Sequence, residues 1–202
     1  MADSKVKLTY FNFNGRAEII RLVLTFAGKA FEDNRVSQEE WQKIKPTSPF
    51  GQLPFVEIDG EVFGQSLAIA QYFARVHNLY GKTNLDGLRI DQISQLIEDY
   101  IQQVVKVFHE SDEAKKAEIV TKVKTEEAPK YIGYLEKILE KNGGEHLVGN
   151  SYTLVDLAAY DLGTGFLKTY TEDALEKAPL LRALIEKVGS NEKIRTYTES
   201  HK

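Results

Sequence analysis

The chain has no cysteine among its 202 residues. That excludes disulfides, thiolate metal sites and a cysteine nucleophile, so any thiol chemistry must use a thiol brought by a ligand. Histidine is scarce as well: His77, His109, His146 and His201 are scattered and form no HExxH-type pair, so no metal site is expected. No run approaches the ~20 apolar residues of a membrane span. The opening segment Met1-Ala2-Asp3-Ser4-Lys5 lacks an apolar signal region, and there is no Asn-x-Ser/Thr sequon, so the expected location is the cytoplasm. A net charge of −4 provides no strong field of one sign, and neither nucleic acid nor an anionic membrane is indicated as a partner.

What is present is a chain of ordinary apolar and charged content, long enough for one large domain or two small ones. Val6, Leu8 and Tyr10 alternate with Lys5, Lys7 and Thr9, the pattern of a short strand. Ile19, Ile20, Val23, Leu24 and Ala27 then recur at helical spacing until Gly28 ends the pattern. Residues 31–36 read as a second strand and 38–45 as a short polar helix holding the only tryptophan, Trp41. Pro46, Pro49 and Pro54 make 46–54 a loop. A hairpin follows, with Asp59-Gly60 as its turn, and Ser66 is expected to cap a helix to about Val76. This order is that of a thioredoxin-like domain, in which Pro54 would be the cis-proline before the third strand.

Residues 78–87 read as a linker, and the strand signals stop there. Ile93, Leu96, Ile97, Tyr100, Ile101, Val104, Val105 and Phe108 form a broad apolar stripe. A long helix is expected over 113–141, bent or interrupted at Pro129, with its Lys/Glu run as a solvated face. Thr153 and Asp156 form a capping box before another helix, and Pro179 opens a further one. The fold class is therefore α/β plus all-α: a thioredoxin-like domain over 1–79, then an all-helical domain over 85–202.

The first half also carries the chemistry. Tyr10 closes a strand before a helix, where an open α/β sheet gathers ligands, and its phenol can donate to an anion. Arg16, a cation at a helix start, is misplaced for the dipole unless it serves another partner. Gln52, Leu53 and Pro54 can offer an extended edge to a bound peptide. Gln65 and Ser66 stand at a helix N-terminus, which favours a carboxylate.

Together, Leu8-Thr9-Tyr10-Phe11-Asn12, Gly15-Arg16-Ala17-Glu18-Ile19-Ile20-Arg21, Pro49-Phe50-Gly51-Gln52-Leu53-Pro54 and Gln65-Ser66-Leu67-Ala68-Ile69-Ala70 make the chain resemble a cytosolic glutathione S-transferase. Its details are most similar to the sigma class, which includes glutathione-dependent prostaglandin D synthases, invertebrate transferases and S-crystallins. Gly149-Asn150-Ser151 and Thr153 to Asp156 match the family's folding box. The resemblance implies that Tyr10 stabilises the glutathione thiolate with Arg16 beside it. It further implies that Trp41 and Lys45 hold the glycyl carboxylate, and that Gln52 and Leu53 hold the cysteinyl backbone, with Pro54 part of the same glutathione-binding segment. Gln65 and Ser66 would receive the γ-glutamyl carboxylate, while Asp99 reaches across a homodimer to the γ-glutamyl amine. Glutathione is then a co-substrate, with no permanently bound cofactor.

The implied activity is conjugation of glutathione to hydrophobic electrophiles, a detoxification reaction, with reduction of organic hydroperoxides beside it. The electrophile is expected among Phe11, Arg16 and the helices around 100–110 and 154–166. One alternative is isomerisation of prostaglandin H to D. Against it, Val105-Lys106-Val107 stands where the vertebrate synthases carry a tryptophan, and their acidic trio is reduced to Gln95, Glu98 and Asp99. The other is a non-catalytic ligand carrier or an S-crystallin-like structural protein; a purely structural role would need none of Tyr10, Arg16, Lys45, Gln65 and Ser66. Phe50 is either a dimer contact or a residue packed under its own loop.

Overall fold

The computed structural model describes residues 4–201 and divides the chain into two compact units. The first comprises the residues up to His77 together with those from Lys193 onwards; the second is Asn78–Glu192. Among the described residues no helix is long and apolar enough to cross a membrane.

In the first unit, β1 (Val6–Phe11) leads through a 3₁₀ turn (Gly15–Ala17) into α1 (Glu18–Ala27), then β2 (Glu32–Val36) and α2 (Gln38–Ile44). The strands β3 (Phe55–Ile58) and β4 (Glu61–Gly64) precede α3 (Ser66–Val76). The sheet order is β2-β1-β3-β4, with β1 parallel to β2 and antiparallel to β3, and β3 antiparallel to β4. Val6, Leu8 and Tyr10 are buried as the alternation predicts, but Thr9 is buried too; β1 is a central strand, and the Asn34 side-chain amide of β2 donates to the Thr9 hydroxyl at 3.2 Å. Asp59 (φ 50°) and Gly60 (φ 91°) make the β3–β4 turn with both central residues in the left-handed region, the geometry that matches strand twist. The Leu53–Pro54 peptide bond is cis.

The helical unit contains α4 (Asn84–His109), α5 (Glu113–Lys122), α6 (Ala128–Lys141), α7 (Leu154–Thr164), α8 (Lys168–Leu175) and α9 (Pro179–Gly189). Its α4 starts inside the expected linker, because Thr83 and Asp86 form a capping box that fixes the first turn at Asn84. The single helix expected over 113–141 is divided. Between α5 and α6 lies a π-helical segment, Val123–Glu127, closed by the Ala128 N–H on the Val123 carbonyl. Pro129, in the first turn of α6, has no N–H to continue an ordinary ladder, and the wider π turn takes up the mismatch.

The last helix, α10 (Glu192–Ser200), returns to the first unit from Lys193 onwards, although the sequence reading keeps everything to residue 202 in the helical domain. Three contacts hold it there. Lys193 Nζ donates to the Phe26 carbonyl (3.1 Å), Tyr197 Oη donates to Glu18 Oε2 (3.1 Å), and Ile194 is fully buried.

Candidate functional site

Strand register gathers Tyr10, Pro54, Gln65 and Ser66 at one end of the first unit's sheet. Thr9 pairs with Phe55 across β1–β3, so Tyr10 and Pro54 follow at the same edge. Phe55 in turn pairs with Gly64 across β3–β4, which brings Gln65 and Ser66 beside Pro54. Phe11 pairs with Val36, and Val36, Trp41 and Phe55 form a buried apolar cluster against which Phe11, Ile44 and Leu53 pack. Lys45 follows α2 and is exposed; its stem passes over Gly51, next to the exposed Gln52.

Tyr10 is 6% exposed, and its ring lies against Phe11 and Phe13 at centroid distances of 5.7 and 5.2 Å. Its hydroxyl oxygen accepts the Arg16 backbone N–H at 3.2 Å. Burial raises the phenol above its ordinary value, while the Arg16 N–H and the charges of Arg16 and Arg21 pull the other way without cancelling it. The phenol is therefore neutral at physiological pH and keeps a proton to donate. Gly15 makes the approach possible: at φ +46°, a Cβ there would lie 2.5 Å from the Tyr10 hydroxyl oxygen.

At α3 the structure reassigns the cap. Gln65, not Ser66, is the N-cap, and Ser66 is the first helical residue, with no side-chain capping bond. Gln65 holds φ 70°, uncommon for a residue with a Cβ. Strain of this kind costs about 1–3 kcal/mol and persists where the surroundings demand it, often at ligand sites. It sets the first amides of α3 at the same sheet end as Tyr10. Phe50 is 64% exposed, with one ring edge resting on Gly64. Asp99 is exposed on α4, in the helical unit.

The structure places Gly15, Glu18 and Arg21 at or behind the Tyr10 loop, although sequence reasoning gives them no role in the site. Arg21 is wholly buried, and Glu18 nearly so. The signal was available: Arg21 shares a face of α1 with Ala17 and Leu24, at i−4 and i+3, where a solvated arginine does not belong. Among the described residues, no group of three or more His, Cys, Asp or Glu side chains is arranged to hold a metal ion.

Residues 6–75 match the family described as glutathione S-transferase, N-terminal domain, and residues 98–201 match the corresponding C-terminal domain. The probable glutathione S-transferase 7 of Caenorhabditis elegans is 36% identical over 197 residues, covering 96% of this chain and 95% of the relative. The hematopoietic prostaglandin D synthase of Gallus gallus is 37% identical over 182 residues, 90% of this chain and 89% of its own. Among solved structures, prostaglandin synthase D of Nilaparvata lugens superimposes with a TM-score of 0.89 at 35% identity, covering 96% of this chain and 97% of that one. Both halves of the sequence, and the sheet end where Tyr10, Pro54 and Gln65 meet, thus lead to one conclusion: the chain belongs to the glutathione S-transferase family.

Proposed function

We propose that the protein is a glutathione transferase in which Tyr10 stabilises the glutathione thiolate for attack on hydrophobic electrophiles. The observation that carries this reading is the Tyr10 hydroxyl. Its oxygen is already engaged by the Arg16 N–H, and its proton is retained, so the phenol is a donor and not a base. A free thiol, with a pKa of about 8.5, is only a few per cent ionised at neutral pH. One hydrogen bond to a charged acceptor contributes about 1.5–3 kcal/mol. That lowers the thiol by about one to two units and makes the thiolate a major species.

The remaining residues bind and orient. Lys45 and Trp41 take the glycyl end, and the extended Gln52-Leu53-Pro54 segment pairs with the cysteinyl backbone. Gln65, Ser66 and the N-terminus of α3 receive the γ-glutamyl carboxylate. Exposed Asp99 suits a role on the γ-glutamyl amine of a second subunit's site, which makes the working form a homodimer. The chain's likeness to both nematode transferases and prostaglandin D synthases supports a sigma-type assignment.

The test is steady-state conjugation of glutathione to a chlorodinitrobenzene-type electrophile, wild type beside Tyr10→Phe. Turnover is expected to fall roughly tenfold to 150-fold, the kinetic equivalent of about 1.5–3 kcal/mol, with glutathione affinity retained. Undiminished turnover in the variant would overturn the assignment. Prostaglandin isomerisation is a second reading, supported by the relatives of that name. It is tested by product analysis with a prostaglandin endoperoxide.

A further inference from the structure

A chain of buried and part-buried polar contacts connects the Tyr10 loop to the far end of the polypeptide. Arg21 Nη1 donates to the Phe13 carbonyl (3.0 Å) and the Asn14 carbonyl (3.3 Å), and pairs with Glu18 Oε2 (3.2 Å). Its Nε pairs with Asp33 Oδ1 on β2 (3.1 Å). Those two carbonyls immediately precede Gly15, and the Gly15–Arg16 peptide carries the N–H that meets the Tyr10 hydroxyl. The Arg21 guanidinium carbon also lies 5.9 Å from the Tyr10 ring centroid. On the other side, Glu18 Oε2 accepts the Tyr197 hydroxyl of α10 at 3.1 Å.

Arg21 is fully buried and Glu18 nearly so, and a buried ion pair is often no better than an apolar one of the same shape. Among the described residues, Arg21 Nη2 is buried without a hydrogen-bond partner, which adds a desolvation penalty. A local choice that costs stability is expected where function requires it.

We propose that Arg21 is a positioning residue for Tyr10, and that Glu18 and Tyr197 complete the same device. Arg21 clamps the 13–14 carbonyls, which fixes the Arg16 N–H on the phenol oxygen and directs the phenol proton outward. Tyr197 holds Glu18 against Arg21, so the C-terminal helix α10 sets the stiffness of the catalytic loop. This rests on the transferase reading above.

The experiment measures the pH dependence of kcat/KM and the ultraviolet absorption of bound glutathione thiolate in wild type, Arg21→Lys and Tyr197→Phe, alongside the glutathione Kd. Lysine keeps the charge but cannot span Phe13, Asn14, Glu18 and Asp33 together, having no planar fork. Expected results are a rise of about one unit in the apparent thiol pKa for Arg21→Lys, tenfold in thiolate stabilisation, and a smaller rise for Tyr197→Phe. Glutathione Kd should stay within about twofold of wild type, since the clamp acts on the donor and not on the peptide subsites. A merely structural role would lower the amount of folded protein without moving the pKa. If Arg21→Lys does not fold, Tyr197→Phe decides, because it removes one hydroxyl and no charge. Unshifted profiles in the folded variants, with a normal thiolate signal in wild type, overturn the positioning role alone. Absence of any thiolate signal in wild type would instead overturn the transferase reading.

Discussion

The Arg16 backbone N–H reaches the Tyr10 hydroxyl oxygen across 3.2 Å, and this contact determines what the phenol can do. An oxygen that already accepts a hydrogen bond leaves its own O–H for a partner in the open direction. The same contact favours charge on the oxygen, but burial outweighs it and the phenol stays above its ordinary value. The site is thus a stationary donor, preorganised before any thiol arrives, which is the arrangement that stabilises developing or existing negative charge most effectively.

The titration of Tyr10 follows from that balance. With the folded value raised, stability tied to the neutral phenol is fully present below the ordinary 10.0 and is lost as pH rises through the higher folded value. A difference ultraviolet titration of wild type minus Tyr10→Phe should show no phenolate near neutrality. Its transition should come later than that of exposed tyrosines. A phenolate signal at pH 7 would make Tyr10 a base and contradict the donor mechanism.

Gly15→Ala tests the close approach behind this geometry. A Cβ there would lie 2.5 Å from both the Tyr10 hydroxyl oxygen and a Phe13 ring carbon, and the residue would have to hold φ +46°. Backbone strain of about 1–3 kcal/mol is expected, with displacement of the phenol in addition. Turnover should fall by at least about tenfold, equivalent to 1.4 kcal/mol, with a raised apparent thiol pKa. Wild-type activity in a folded Gly15→Ala protein would show that the hydroxyl position is not critical.

Lys45→Met separates binding from chemistry. Lys45 is exposed, and its stem lies over Gly51. If it meets the glycyl carboxylate, its interaction is the same in ground and transition states, so KM for glutathione rises and kcat holds. A solvent-exposed pair contributes up to about 1 kcal/mol, which predicts a rise of roughly fivefold. A fall in kcat with constant KM would move Lys45 out of the carboxylate subsite.

Asp86 gives a pH prediction in the helical unit. Its carboxylate accepts the Lys82 and Thr83 N–H groups, each at 3.1 Å, and pairs with Arg89 at 3.0 Å. The Lys82 bond first, then the Thr83 hydroxyl, hold it below the ordinary 3.8. Its folded value is depressed, so its contribution is present above 3.8 and fades as pH falls through the lower folded value. Melting temperatures of wild type and Asp86→Asn should therefore differ at neutral pH and converge in acid. A gap that stays constant with pH would refute the capping role.

The order of strands and helices in the first unit was legible in the sequence. Tyr10, Pro54 and Gln65 were legible because each stands where an element begins or ends, and strand register then brings them to one edge. Asp59-Gly60 was legible because few residues take up left-handed geometry readily. The π segment at Val123–Glu127 was not, since a proline marks an interruption without saying how the ladder closes. Nor was the return of α10: its polar sequence carries one fully buried residue, Ile194, and the Tyr197–Glu18 bond spans 179 positions. Arg21 was hidden by its own charge, because an arginine reads as solvated unless its helical neighbours are weighed.

Asp156 is fully buried at the start of α7, and its Oδ1 accepts the Leu147 N–H at 2.9 Å. Oδ2 accepts the Thr153 N–H at 2.8 Å and the Thr153 hydroxyl at 3.1 Å. One carboxylate thus closes the helix cap and ties down the preceding loop. Asp156→Ala strands two backbone N–H groups in the interior, each costing about 1–3 kcal/mol, for a loss of about 2–6 kcal/mol. Asp156→Asn keeps an oxygen for Leu147 but turns an NH₂ toward the Thr153 N–H, so it should lose about half as much. Denaturant unfolding of the three proteins measures this order. Equal losses in Asn and Ala would mean that the Leu147 bond contributes little and that the cap alone carries the stability. An unaffected Ala variant would mean that water replaces both bonds, and the box would then be dispensable to the helical unit.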